Sequence, residues 1–183
     1  MRVFPIIGTH TSGKSTIGSR LKEVGYLFLP EIAEKLTKEG HTAGIKSSGY
    51  FQSKVMEEEF KRDDNYLGST DPVFPETWHI GNIAHAMEKS KEVADIYMKK
   101  FKERLNNYEV HAIFLDVPLE EIPKRTKYYL NESPEDVISF YKKVYDNQNF
   151  VLESLGIPFT IVDSSRSIEA VTSDVISKLR KMV

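Results

Sequence analysis

Gly8-Thr9-His10-Thr11-Ser12-Gly13-Lys14-Ser15 fills the pattern GxxxxGK[ST] without a gap. The residue types explain what such a segment can do. Two glycines let successive backbone N–H groups turn inward around phosphate oxygens, and a helix starting at the loop adds the positive end of its dipole. Lys14 places a compact charge on the β and γ phosphates of a nucleoside triphosphate, and the Ser15 hydroxyl suits a Mg²⁺ carried by it. Gly8, Thr11, Ser12, Gly13, Lys14, Ser15 and Thr16 are therefore the expected triphosphate contacts. Four fixed positions coincide by chance in under roughly 1 in 100 chains of this length.

Further along, polar residues follow two apolar runs. Glu31 stands just past Tyr26-Leu27-Phe28-Leu29-Pro30, and Glu76 just past Val73-Phe74-Pro75. In open α/β sheets ligands gather beyond the carboxyl ends of strands, so either carboxylate is placed to serve as a base. Glu76, His79 and Asn82 recur at spacings of three, which puts them on one face of a helix. Arg62, Trp78, His79 and Asn82 are candidates to hold an acceptor, Arg62 through an anionic group and Trp78, with Tyr50, by stacking. Asp71 and Asp116 are candidates to hold Mg²⁺ through water, together with Ser15.

The elements that must position these residues are legible as alternating runs. Val3-Phe4-Pro5-Ile6-Ile7 reads as a buried strand before the loop, and Thr16 to Glu23 as a helix with Ile17 and Leu21 four apart. Strands are also expected at Tyr26–Pro30, Val73–Pro75, Val110–Asp116 and Pro158–Asp163. Between them lie helices over Ile32–Glu39, Tyr50–Tyr66, from Glu76 to about Leu105, Leu119–Tyr129, Asp136–Leu155 and Ser167–Met182. Gly40 to Gly49 reads as a loop. Five strands alternating with helices predict a parallel sheet covered on both faces, an α/β/α arrangement.

Composition narrows the class. The 183 residues suit one domain spanning 1–183, large enough to bury a core without disulfides. Cysteine is absent, which excludes thiol catalysis and Cys-type zinc sites, and the 5 His residues lack zinc-ligand spacing. With 25 Lys plus Arg against 27 Asp plus Glu, no basic excess points to nucleic acid. No run approaches the ~18 apolar residues of a membrane span, and the amino-terminal strand leads straight into the loop, so a removable leader is not expected. A soluble, cytoplasmic enzyme is the expectation, with a homodimer left open.

Taken together, these motifs make the chain resemble the P-loop nucleoside and nucleotide kinases, in layout thymidylate kinase and the deoxynucleoside kinases. The loop carries the resemblance most specifically. Phe114-Leu115-Asp116-Val117-Pro118-Leu119-Glu120 followed by Arg125 is similar to that family's fourth strand and the helix leading to its lid, here about 124–135. Ile161-Val162-Asp163-Ser164-Ser165 is similar to the loop that packs on the nucleotide base, which implies Ser164 and Ser165 as cofactor contacts. The resemblance implies the three-layer P-loop NTPase fold with a five-stranded parallel sheet of order 2-3-1-4-5, ATP and Mg²⁺ as cofactors, and catalytic roles for Lys14, Glu31, Glu76 and a closing Arg125.

Departures bear on the acceptor. Where thymidylate kinases carry Asp-Arg-aromatic after strand three, this chain has Glu76-Thr77-Trp78, without the arginine. Phosphate-on-phosphate transfer needs bidentate cations, whereas a hydroxyl acceptor needs a carboxylate base. The expected reaction is γ-phosphoryl transfer from ATP to a nucleoside, a nucleoside monophosphate or a related small acceptor. Two readings stand beside it: a polynucleotide 5′-hydroxyl kinase, and a regulatory ATPase or nucleotide-dependent switch. GTPase-type switches use Asp-x-x-Gly and Asn-Lys-x-Asp elements, and neither occurs here.

Overall fold

The computed structural model describes residues 1–125 and 132–182. Residues 126–131 of the lid expected at 124–135, and with them the end of the helix expected over Leu119–Tyr129, lie outside the described residues. Among the described residues every paired strand is parallel. Hydrogen bonding, however, divides the strands into two sheets rather than the single five-stranded sheet expected. One has four strands, with Leu27–Leu29 (β3) beside Val73–Pro75 (β4), then Arg2–Val3 (β1), then Glu109–Val110 (β5). The other has three, with Ile6–Ile7 (β2) beside Ala112–Asp116 (β6), then Phe159–Asp163 (β7).

Pro5 supplies the physical reason for the division. It has no N–H to offer a ladder, so the run from Arg2 to Ile7 is interrupted between β1 and β2. The chain nevertheless stays in line. Phe4 N donates to Val73 O at 2.9 Å, Ile113 N to Pro5 O at 2.9 Å and His111 N to Val3 O at 3.1 Å. The carboxyl ends of β2, β3, β4 and β6 therefore come together at one edge.

Helices cover both faces because successive strand residues point to opposite sides. Ile113 and Leu115 pack with Ile17 and Leu21 of Lys14–Glu23 (α1) and with Val171, Val175 and Leu179 of Ile168–Leu179 (α8). Ala112 and Phe114 face the other way, toward Gly49–Asp64 (α3), Trp78–Met87 (α4), Lys91–Arg104 (α5) and Pro134–Leu155 (α7). The short Ile32–Lys38 (α2) packs on α3 through Ile32, Leu36, Phe51 and Val55, and Ile122–Arg125 (α6) leads toward the lid.

The long helix expected from Glu76 to Leu105 is two helices. It breaks after Met87 and restarts at Lys91, where the Ser90 side chain accepts from Val93 N as an N-cap. Other boundary signals act as their residue types dictate. Ser133 caps α7 with Pro134 in its first turn, and Gly156 ends it at φ 63°, a left-handed conformation that favours glycine.

Candidate active site

The loop after β2 wraps around its own lysine. Gly8 has φ 140° and Gly13 φ 94°, and a Cβ on Gly8 would stand 2.4 Å from Leu115 O, so this position excludes other residues. Lys14 is only 8% exposed and donates to Thr9 O at 2.9 Å and Gly8 O at 3.3 Å. Gly13 caps α1 with no side-chain bond, so the first N–H groups of the helix face the loop. The hydroxyls of Thr9, Thr11 and Ser12 are buried without hydrogen-bond partners, an unusual concentration of unsatisfied groups. A polyanion seated in the loop is the ligand chemistry that satisfies donors of this kind.

Ser15 Oγ donates to Glu76 Oε1 at 2.6 Å, and Glu76 Oε2 is buried with no partner. A sharp turn aims Glu76 at the loop. Thr77 has φ 63° and ψ −52°, Trp78 N donates to Glu76 O at 2.6 Å, and together these make a strained γ-turn of the positive-φ kind. Backbone bonds from Glu76 N to Leu29 O and from Thr77 N to Ile6 O, both 2.9 Å, hold the turn against the two flanking strands. The hydroxyl and the unsatisfied carboxylate oxygen form a hard oxygen pair that fits Mg²⁺.

Glu31 caps α2 at the end of β3 and faces the same cleft, a cavity of about 1170 Å³ that also borders Lys14, Ser15, Thr16, Glu76 and Asn82. Burial pushes its carboxyl up to about 7; Lys14 opposes the rise, while Glu76 and Glu34 add to it. The Thr77 hydroxyl is near enough to lower this value slightly yet lies outside hydrogen-bonding geometry. Also bordering the cavity are His10 and His85, which burial and then Lys14 hold down to about 4 and about 3. Both imidazoles are therefore neutral at physiological pH and add no positive charge.

Several sequence candidates stand elsewhere. Trp78 and His79 are wholly buried. Trp78 Nε1 donates to Asp63 Oδ1 at 3.1 Å, and His79 bridges Asp63 Oδ2 and the Tyr97 hydroxyl at 2.9 Å each. They are core residues that anchor the γ-turn to α3 and α5, and neither borders the cavity. Arg62 turns away from the cleft, donating to Pro30 O at 2.7 Å and pairing with Glu59. Tyr50 is 66% exposed and does not border the cavity.

The metal candidates divide in the same way. Asp71 precedes β4, at the opposite end of the strand from Glu76, and does not border the cavity. Asp116 ends β6, but its charge acts on Tyr145 of α7 and it does not border the cavity. Arg125 does border it, with Nη1 donating to Ser164 O at 3.5 Å. Ser164 N and Oγ bond Asp116 O at 2.7 and 2.8 Å, and Ser165 bonds Asp163. Neither serine borders the cavity.

Sequence reading passed over Gln148, which is wholly buried and donates from Nε2 to Gly8 O at 3.3 Å. A signal for it existed, since it lies four residues beyond Val144 in the apolar stripe of α7. Tyr141, also in the cleft wall, lies on the same stripe, and His85 continues the spacing of three from His79 and Asn82; His10 carried no pattern of that kind.

A glycine-turned loop around a buried lysine, opening a helix beneath a parallel sheet, defines a P-loop nucleotide-binding protein. The AAA domain family matches residues 3–170, and the chain belongs to it. No curated protein matches the sequence. Solved structures do match in fold. Deoxyadenosine kinase from M. mycoides, with products dCMP and a flexible dCDP, aligns at TM-score 0.69 and 15% identity over 99% of this chain and 100% of that one. With bound dATP it aligns at 0.69 and 17% identity, over 98% and 99%. The YorR protein of Bacillus subtilis, in complex with phosphorylated GDP, aligns at 0.59 and 14% identity, over 98% and 96%. The fold is thus that of P-loop nucleoside and nucleotide kinases.

Proposed function

We propose that residues 1–183 form one P-loop kinase unit that transfers the γ-phosphoryl group of ATP to a hydroxyl of a nucleoside or a related small acceptor. The observation that carries this reading is Glu31, a carboxylate raised to about 7 that shares one cleft with Lys14 and the Ser15–Glu76 pair. A base with a pKa near the working pH is matched to taking a hydroxyl proton. As the acceptor oxygen bonds the γ-phosphorus, the bond to the β–γ bridging oxygen breaks, the proton passes to Glu31 and ADP leaves. Lys14 and Arg125 offset the charge on the phosphoryl oxygens. Ser15 and Glu76 would hold Mg²⁺, whose role when bound is to neutralise and orient the phosphates.

Charge on the acceptor side favours a hydroxyl over a phosphate. That wall carries Glu31 and Glu34, and its lysine, Lys46, is paired with Glu132 at 2.9 Å. Arg62 is engaged elsewhere. The structural relatives are consistent with this class, one being a deoxyadenosine kinase. Incubation with ATP, Mg²⁺ and a panel of nucleosides and monophosphates, followed by mass spectrometry, tests the reading. A phosphorylated nucleoside is expected. If nucleosides stay unmodified while monophosphates become diphosphates, the hydroxyl acceptor is wrong; if no product forms at all, so is the kinase.

A further inference from the structure

Two residues that border the acceptor half of the cleft, Glu31 and Asn82, come from elements far apart in sequence, the end of β3 and the middle of α4. A chain of polar contacts, exposed at Pro30 and buried at Asn82, joins them without itself reaching the cleft. Arg62 Nη1 donates to Pro30 O at 2.7 Å, the carbonyl of the peptide that leads into Glu31. Arg62 Nη2 donates to Glu59 Oε2, and Glu59 Oε1 accepts from Asn82 Nδ2 at 2.9 Å. Glu59 is 0% exposed and Asn82 2%.

We infer that Arg62 and Glu59 are a positioning pair, holding the base Glu31 and the amide of Asn82 at a fixed separation so that an acceptor gripped by Asn82 presents its hydroxyl to Glu31. The inference rests on the kinase reading above.

Three features argue that the pair serves geometry rather than bare stability. First, a buried ion pair is seldom the most stable filling for its volume, since apolar residues of similar size often do as well or better. Second, Arg62 keeps its Nε–H buried without a partner, a cost accepted while its two terminal nitrogens reach Pro30 and Glu59. Only the planar guanidinium fork meets both acceptors at once; a lysine would reach one. Third, α2 spans only Ile32–Lys38 and Glu31 makes no side-chain cap bond to it, so the helix alone does not fix the base. The other ties across the α2–α3 contact are a small apolar cluster and the Lys35–Glu58 pair at 3.3 Å, and neither of them reaches Glu31.

The test is the double variant Glu59→Leu/Arg62→Met, with Arg62→Lys beside it, assayed on the acceptor that the wild type phosphorylates. The double variant is expected to keep its circular dichroism and its KM for ATP. Its kcat/KM for the acceptor is expected to fall ~100-fold, the scale of a misplacement near 1 Å, and Arg62→Lys to fall as well. A folded double variant with wild-type kcat/KM for the acceptor overturns the inference, as does an equal loss in ATP affinity. Should the double variant not fold, Asn82→Ala is combined with Arg62→Lys. A smaller Asn82→Ala effect in the Arg62→Lys background is expected, and strictly additive effects overturn the pair. A wild-type chain inactive on every acceptor removes the kinase reading and this inference together, whereas wild-type activity with an unaffected double variant removes the inference alone.

Discussion

Ser15 Oγ lies 2.6 Å from Glu76 Oε1, joining the first turn of α1 to the carboxyl end of β4 across 61 residues. The contact is short because the strained γ-turn at Thr77 throws Glu76 back over the loop instead of letting it continue into α4. Glu76→Gln keeps the shape but removes the charge a divalent cation needs. The Mg²⁺ concentration for half-maximal turnover is expected to rise about 10–100-fold. A Mg²⁺ titration of turnover checks this, and an unchanged midpoint would show that Glu76 only positions Ser15.

Lys14→Ala removes the charge that Gly8 O and Thr9 O now hold inside the loop. Turnover is expected to drop by at least ~10²–10³-fold, the scale for losing one preorganised charge-stabilising donor. Binding of a fluorescent ATP analogue should weaken in parallel.

Glu31 gives two pH signatures of opposite sense. As a base it works when deprotonated, so kcat/KM is expected to rise as pH passes upward through about 7 and then level. Glu31→Gln should flatten that limb and lower the plateau by ~10²–10⁴-fold.

Stability runs the other way. A carboxyl raised on folding binds more protons in the native state than in the unfolded chain, so its contribution is present below the unfolded pKa and is lost as pH climbs through the folded value. For Glu31 that window runs from about 4.5 to about 7. Glu31→Gln is therefore expected to raise the melting temperature at pH 8 and leave it nearly unchanged at pH 4. Thermal melts at both values decide it.

Trp78→Ala separates core from site. The indole is wholly buried between Phe101 and Tyr108, with ring centroids at 5.2 and 5.4 Å, and is bonded to Asp63. Truncation is expected to cost ~3–5 kcal/mol of folding stability. The milder Trp78→Phe should keep the acceptor KM near wild type, and a large rise in KM would return Trp78 to the acceptor site.

Much of the architecture was legible before any coordinates. Alternation of apolar runs with helical spacing places the strand runs and, within a few residues, most helices among the described residues, because burial on both sheet faces demands continuous apolar strands. The missed boundary at Ser90 is a cap inside a helix-compatible stretch, where local preference for helix outweighs a single serine. Pro5 was visible too, and its missing N–H is what divides the hydrogen bonding into two sheets. Grouping Glu76, His79 and Asn82 on one helical face was half right. His79 and Asn82 do share a face, toward Asp63 and Glu59 of α3. Glu76 precedes the helix, and the positive φ of Thr77 resets its direction.

What the sequence by itself determined is the phosphate loop. Its ligand groups are mainly backbone N–H groups of neighbouring residues, so eight contiguous positions from Gly8 to Ser15 specify the cradle, the lysine and the hydroxyl together. What only the tertiary structure decided is which distant side chains face it. Glu31 and Asn82 reach the cleft while Arg62, Trp78 and His79 do not, because α4 is enclosed by α3, α5 and α7 and nearly every side of it is interior. Helical spacing says which residues share a side, but only the packing of neighbouring helices says whether that side meets core or ligand.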